Sequence, residues 1–92
     1  MRRLRLRFVG QCQGVGFRWT SQRLATELGL TGWVRNEWDG SVSMELQGPS
    51  EKVPEFFGQL QAFYKRMWVD YRIDESEDVP VVVDEAGFSV RR

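Results

Sequence analysis

The chain has 92 residues, of which 41% are hydrophobic and 28% charged; this allows one modest core, reads as a single domain over 1–92, and excludes a disordered or fibrous segment. Thirteen Lys/Arg balance thirteen Asp/Glu and there is no histidine, which argues against a nucleic-acid partner and removes the commonest general base and metal ligand. No Cys or acidic cluster has metal-ligand spacing, so no metal or other cofactor is expected, and no apolar run approaches a signal or membrane segment, so a cytoplasmic protein without a membrane partner is expected.

Residues 3–9 alternate, with Leu4, Leu6 and Phe8 on one face and Arg3, Arg5 and Arg7 on the other, the period of a half-buried strand with a solvated basic face. Gly10-Gln11-Cys12-Gln13-Gly14-Val15-Gly16-Phe17-Arg18 follows, holding three of the nine glycines. Such a loop lets main-chain N–H groups converge, and the helix beyond adds its own free N–H groups and positive dipole end. Arg18 stands at that junction with a fork of donors matched to phosphate oxygens. The loop is a candidate anion cradle.

Phe17, Ser21, Leu24, Ala25 and Leu28 then fall at helical spacing, and Gly29 is placed to end the helix. Leu30–Asn36 and Ser41–Gly48 read as two strands of a hairpin joined through Asn36-Glu37-Trp38-Asp39-Gly40. Glu37 and Asp39 are read as turn residues. A second helix opens at Pro49-Ser50-Glu51 with Ser50 as its cap, and Val53, Phe56, Phe57 and Leu60 form its core stripe. Met67, Val69, Tyr71 and Ile73 alternate as a fourth strand. Asp74–Glu85, with six acidic residues and no basic one, reads as a loop with a short extended piece, and Phe88-Ser89-Val90-Arg91 as a last strand.

This order, βαββαβ plus a C-terminal strand, predicts an α+β ferredoxin-like fold: an antiparallel sheet with two helices on one face. Charge is uneven along it. Residues 1–35 carry seven Arg and one acid, and residues 36–92 carry six Lys/Arg and twelve acids, so the candidate loop lies in the half whose potential draws in a small anion.

The loop Gly10–Arg18, together with Leu28-Gly29-Leu30-Thr31-Gly32-Trp33-Val34-Arg35-Asn36, Asp39-Gly40-Ser41-Val42, Gln47-Gly48-Pro49 and Phe88–Arg91, resembles the acylphosphatase family along essentially the whole chain. The resemblance implies hydrolysis of acyl phosphates to a carboxylate and inorganic phosphate. It implies that Arg18 clamps the phosphoryl group, that the amides of Gln13, Gly14, Val15, Gly16, Phe17 and Arg18 cradle it, and that the Asn36 carboxamide orients the attacking water. The chemistry tolerates the missing histidine: the leaving group is the anion of an acid with pKa near ~4 and needs no proton, and phosphoryl transfer asks mostly for positioning and charge stabilisation. The partners implied are a small acyl phosphate and inorganic phosphate, and a monomer is expected. The chain departs from the family after the second helix, where Gln61-Ala62-Phe63-Tyr64-Lys65-Arg66-Met67 replaces a Gly-Pro-Pro-like link, and in the acidic segment 74–85.

Two other readings remain at this level. Cys12 and Arg18, with five residues between them, have the spacing of a thiolate nucleophile and phosphate clamp, although Cys12 at a position where the family has an apolar residue also suits a small packing side chain. A non-catalytic phosphate-binding domain would need Arg18 and the amides but not Asn36. Trp19, Trp33 and Trp38 are read as packing residues.

Overall fold

A computed structural model describes residues 1–92. Its elements are β1 (Arg2–Gly10), α1 (Phe17–Glu27), β2 (Thr31–Asn36), β3 (Val42–Gly48), α2 (Lys52–Arg66), β4 (Tyr71–Asp78) and β5 (Phe88–Arg91). They form one sheet in the order β4-β1-β3-β2-β5. The apolar face of β1, Leu4, Leu6 and Phe8, joins Val34 of β2 and Val42, Met44 and Leu46 of β3 beneath the two helices. The helices answer with Phe17, Leu24 and Ala25 from α1 and Val53, Phe56, Leu60 and Tyr64 from α2. The expected ferredoxin-like arrangement is therefore present.

The sheet is mixed, not wholly antiparallel as expected: β5 pairs in parallel with β2, Gly32 facing Phe88 and Val34 facing Val90. The connectivity requires it. Strand β4 runs antiparallel to β1 and leaves the sheet where Asp78 faces Leu4, at the end where β2 begins. Chain crossing from there to the free edge of β2 enters beside its first residues and runs with them.

Helix ends differ from expectation at two points. Ser50 does not cap α2; Glu51 occupies the cap position, with no side-chain cap bond, because Lys52 N–H first closes a turn onto the Pro49 carbonyl at 2.9 Å. At the other end, Met67 and Val69, expected in a strand, belong to the helix terminus. Val69 N–H reaches the Tyr64 carbonyl at 3.1 Å and Trp68 N–H the Lys65 carbonyl at 3.3 Å. This is the pairing of a Schellman motif, with Trp68 in the left-handed position at φ 58°. Helix α1 ends the same way, with Leu30 N–H on Ala25 and Gly29 N–H on Thr26, and there the left-handed residue is the expected Gly29.

Strand β4 accordingly lies later than predicted, and most of the acidic stretch 74–78 is strand, not loop. Its residues from Arg72 on are exposed, so the apolar alternation that marks a half-buried strand is absent. Pairing comes from charge instead. Arg2 meets Asp78 at 2.8 Å, Arg5 meets Glu77 at 3.3 Å, and Arg7 meets Asp74, where a register shift between Arg7 and Phe8 leaves Asp74 as the extra residue.

The basic face of β1 is also not simply solvated. Arg3 is buried: its Nε donates to Glu45 at 2.7 Å, and its two Nη atoms donate to Glu85 at 2.7 and 3.2 Å and to Gln47 at 3.1 Å. Gln47 in turn brackets Val82, accepting from its N–H at 2.8 Å and donating to its carbonyl at 3.0 Å. These contacts hold the segment between β4 and β5 across the open face of the sheet.

Two outcomes are expected in denaturant titrations. Trp68 is exposed and carries a side chain where the backbone favours glycine, so Trp68→Gly raises stability by about 0.5–1 kcal/mol. Burial alone pushes the Glu85 carboxyl up, but the bonds from Arg3 and the charges of Arg3 and Arg91 outweigh it and hold the group below its usual range. A depressed carboxyl stabilises the fold above the unfolded-state value of about 4.3 and ceases to do so as pH falls through the folded-state value. Stability therefore drops on acidification below about pH 5, and Glu85→Gln, less stable at pH 7, shows a shallower drop over the same range.

Candidate functional site

Strand β1 ends at Gly10, opposite Tyr71. Gln11 is then tied on both sides to Asp70: its N–H donates to the Asp70 carbonyl and its Oε1 accepts from Asp70 N–H, each at 2.8 Å. Between this anchor and the buried ring of Phe17, the main chain turns through left-handed conformations at Gly14, φ 77°, and Gly16, φ 72°. A Cβ at either glycine would meet open space. The conformation itself, not crowding, selects glycine at both.

The underside of the loop is supported by an aromatic cluster. The Phe17 ring lies 4.9 Å from Phe8, 5.6 Å from Tyr64 and 5.5 Å from Tyr71, centroid to centroid. Tyr64 Oη donates to the Val15 carbonyl at 3.1 Å. With Val15 C=O turned down onto Tyr64, the N–H groups of Gln13 through Arg18 have no acceptor within the protein; the first main-chain donor after them with one is Thr20, bonded to Gly16 at 2.9 Å. Seven consecutive main-chain donors, Gln13 through Trp19, are thus free where α1 begins.

Arg18, in the first turn of α1, is half-buried and is paired with no carboxylate. Asn36 is the last residue of β2 and faces Val42 of β3, whose other neighbour is Phe8 of β1. Two strand spacings, about 10 Å, therefore separate the Asn36 and Phe8 backbones, and both strands end on the side where the loop begins. The Asn36 Oδ1 atom is buried without a hydrogen-bond partner. The topology thus brings Arg18, the loop amides and Asn36 to one end of the sheet.

Cys12 is fully buried, its Sγ 3.5 Å from the carbonyls of Phe8 and Gly40, and burial pushes the thiol up. A nucleophile needs the opposite, an accessible thiolate. Asp39 turns its Oδ1 to Ser41 N–H at 2.9 Å and to Ser41 Oγ–H at 2.6 Å, and Glu37 pairs with Arg35 at 2.9 Å. Both carboxyls are held below their usual range, Asp39 first by Ser41 and Glu37 first by Arg35, as suits ionised turn residues.

The tryptophans divide. Trp33 packs on the open sheet face between the guanidiniums of Arg35 and Arg91, 5.4 and 4.7 Å from the ring centroid. Trp19 and Trp38 do not pack as expected; they are 67% and 99% exposed. Each follows a residue that the fold holds in place, Arg18 on α1 and Glu37 in the β2–β3 turn, and neither finds an apolar neighbour to cover it. Sequence reasoning also missed Tyr64, although it continues the Val53, Phe56, Leu60 stripe by one more turn.

An acylphosphatase family profile matches residues 4–89. The chain belongs to the acylphosphatase family. It is 52% identical over 96 residues to the acylphosphatase of Salinibacter ruber, covering 99% of this chain and 94% of that one. It is 48% identical over 61 residues to that of Oceanobacillus iheyensis, covering 66% and 67%. In structure it is similar to the crystal structure of acylphosphatase from Bacillus subtilis, with a TM-score of 0.81 at 25% identity over all of both chains. Acyl phosphate hydrolysis is thus the activity its family membership supports. Within this acylphosphatase fold, no group of three or more His, Cys, Asp or Glu side chains is placed to hold a metal, and no helix is long and apolar enough to cross a membrane.

With Cys12 buried at the root of the loop, a thiol reagent is expected to label the native protein at least about a hundredfold more slowly than the denatured chain, since access requires local opening.

Proposed function

We propose that the protein hydrolyses acyl phosphates by attack of water on a phosphoryl group held by Arg18 and the main-chain amides of Gln13, Gly14, Val15, Gly16, Phe17 and Arg18, with Asn36 orienting the water. The observation that carries this reading is the run of unbonded N–H groups, from Gln13 through Trp19, beside an unpaired arginine at the N-terminus of α1. The Arg18 guanidinium offers two donors in the spacing of two phosphoryl oxygens. The amides add donors that need no reorganisation as negative charge shifts in the transition state.

Asn36 gives a reason to read turnover and not mere binding. Its carboxamide oxygen can accept a hydrogen bond from water and hold the attacking oxygen in line with the leaving carboxylate. A carboxylate leaves without a proton, so no general acid is required, and the ionised turn carboxyls Glu37 and Asp39 have no part in the step. Arg18 and the amides supply the charge term that a metal ion would otherwise supply, so the reaction is proposed to be metal-independent. We further propose a monomer acting in the cytoplasm, for which the small core and the lone, buried cysteine speak.

The test is release of phosphate from benzoyl phosphate in the presence of EDTA. Wild type is expected to turn over, and Arg18→Ala and Asn36→Ala to lose at least about a hundredfold while remaining folded. In Asn36→Ala, inorganic phosphate is expected still to compete for the site; loss of phosphate binding in parallel with turnover would remove the water-orienting role. Activity abolished by EDTA and restored by a divalent cation would overturn metal independence.

A further inference from the structure

The side chain of Gln13 does something its place in the loop does not require. Its main-chain N–H is the first of the free donors, but its carboxamide bonds the β2–β3 turn. Nε2 donates to the Glu37 carbonyl at 2.7 Å and to the Ser41 carbonyl at 2.9 Å. The same two carbonyls also accept from the turn itself, Glu37 O from Gly40 N–H at 3.2 Å and Ser41 O from Glu37 N–H at 2.8 Å. Both hydrogens of the amide and both lone pairs of each carbonyl are thereby used, in a closed set of bonds around the chain that follows Asn36.

We infer that Gln13 is a positioning residue, which locks the phosphate loop to the β2–β3 turn and so fixes the Asn36 carboxamide relative to the cradle. This rests on the reaction proposed above. Asn36 and the cradle come from different elements, joined otherwise through the sheet, through the Arg7–Asp39 pair at 3.3 Å between β1 and the turn, and through the Cys12 thiol's long contact to Gly40. At the end of β2 the ladder stops with the Asn36–Val42 pair, and everything beyond depends on the turn. A water held by Asn36 is useful only if its oxygen lies in line behind the phosphorus, and a displacement of about 1 Å can cost on the order of a hundredfold.

The residue type follows from the geometry. Two carbonyls demand two hydrogens on one atom, which a carboxylate of the same length lacks and would meet with repulsion; a methionine fills the same length with no donor.

The experiment compares wild type, Gln13→Glu and Gln13→Met for hydrolysis of benzoyl phosphate and for inhibition by inorganic phosphate, with thermal melts to establish folding. At pH 7.5 both variants are expected to lose at least about tenfold in kcat; the phosphate inhibition constant of Gln13→Met stays within about threefold of wild type, because the amides and Arg18 are untouched, whereas the added negative charge of Gln13→Glu also weakens phosphate. As pH falls toward about 4.5, the Gln13→Glu carboxyl regains a proton to donate, so its kcat relative to wild type rises, whereas that of Gln13→Met does not. A packing role alone would move the melts without this pH signature. A folded Gln13→Met with wild-type kcat, a parallel loss of phosphate affinity and kcat in Gln13→Met, or a Gln13→Glu deficit constant across pH would each overturn the inference. Should Gln13→Glu fail to fold, Gln13→Met carries the test through kcat and phosphate inhibition. An inactive wild type would instead remove the hydrolase reading itself, and the two failures are distinguishable in the same assay.

Discussion

The burial of Phe17 is the constraint on which the rest of this end of the molecule depends. Its ring is enclosed by Phe8 from β1, Tyr64 from α2 and Tyr71 from β4, so the first turn of α1 is bound to the sheet by apolar contact worth about 2 kcal/mol or more. Strand β1 is held equally firmly, flanked on both sides by β3 and β4. The chain has only Gln11 to Gly16 in which to pass from one fixed point to the other. Left-handed turns at Gly14 and Gly16 make that passage possible, and Tyr64 draws the Val15 carbonyl downward. The outward row of N–H groups is the geometric remainder of a packing problem solved underneath it.

Charge is organised around the same strand. Its apolar side faces the helices, and its arginines, which as a set would oppose one another, are each met by acids of β3, β4 or the segment before β5. Exposed pairs of this kind add little stability. They select register instead: on a strand with few apolar side chains to bury, complementary charge distinguishes this pairing from a slipped one. Arg3 differs because it is buried, and its carboxylate and amide partners must all be present together. The N-terminal excess of positive charge is therefore spent within the fold, and Arg18 is the arginine of the loop left without a carboxylate.

The loop also occupies a junction of three connections. Gln11 bonds it to the chain between α2 and β4, Gln13 to the turn between β2 and β3, and Tyr64 to the end of α2. Two glutamines flanking a buried cysteine thus point in opposite directions from a strand that has just ended. An arrangement of this kind anchors the main chain without using the N–H groups from Gln13 onward, which is what a preorganised anion site requires.

Much of this was legible in the residues. Period-two alternation in 3–9 and 41–48, helical stripes at 17–28 and 53–60, and Gly29 as a stop all report short-range demands of burial and backbone conformation, and each was read correctly because local sequence is what satisfies them. The family resemblance came from the same stretches, above all the glycine pattern before Arg18 and the run ending at Asn36. What the residues did not reveal was decided by partners distant in the chain. Strand β4 was displaced in the reading because an edge strand exposed on both faces carries no apolar period, and its acids make sense only opposite the arginines of β1. The parallel entry of β5, the burial of Arg3, the exposure of Trp19 and Trp38, and the aim of the Gln13 carboxamide depend likewise on which elements meet in space. Local residue pattern specifies six of the seven elements, their order and the composition of the loop; the extent of β4, which charges are paired, which N–H groups stay free and what joins Asn36 to the cradle are settled in the fold, because those are properties of contacts between segments and not of any segment alone.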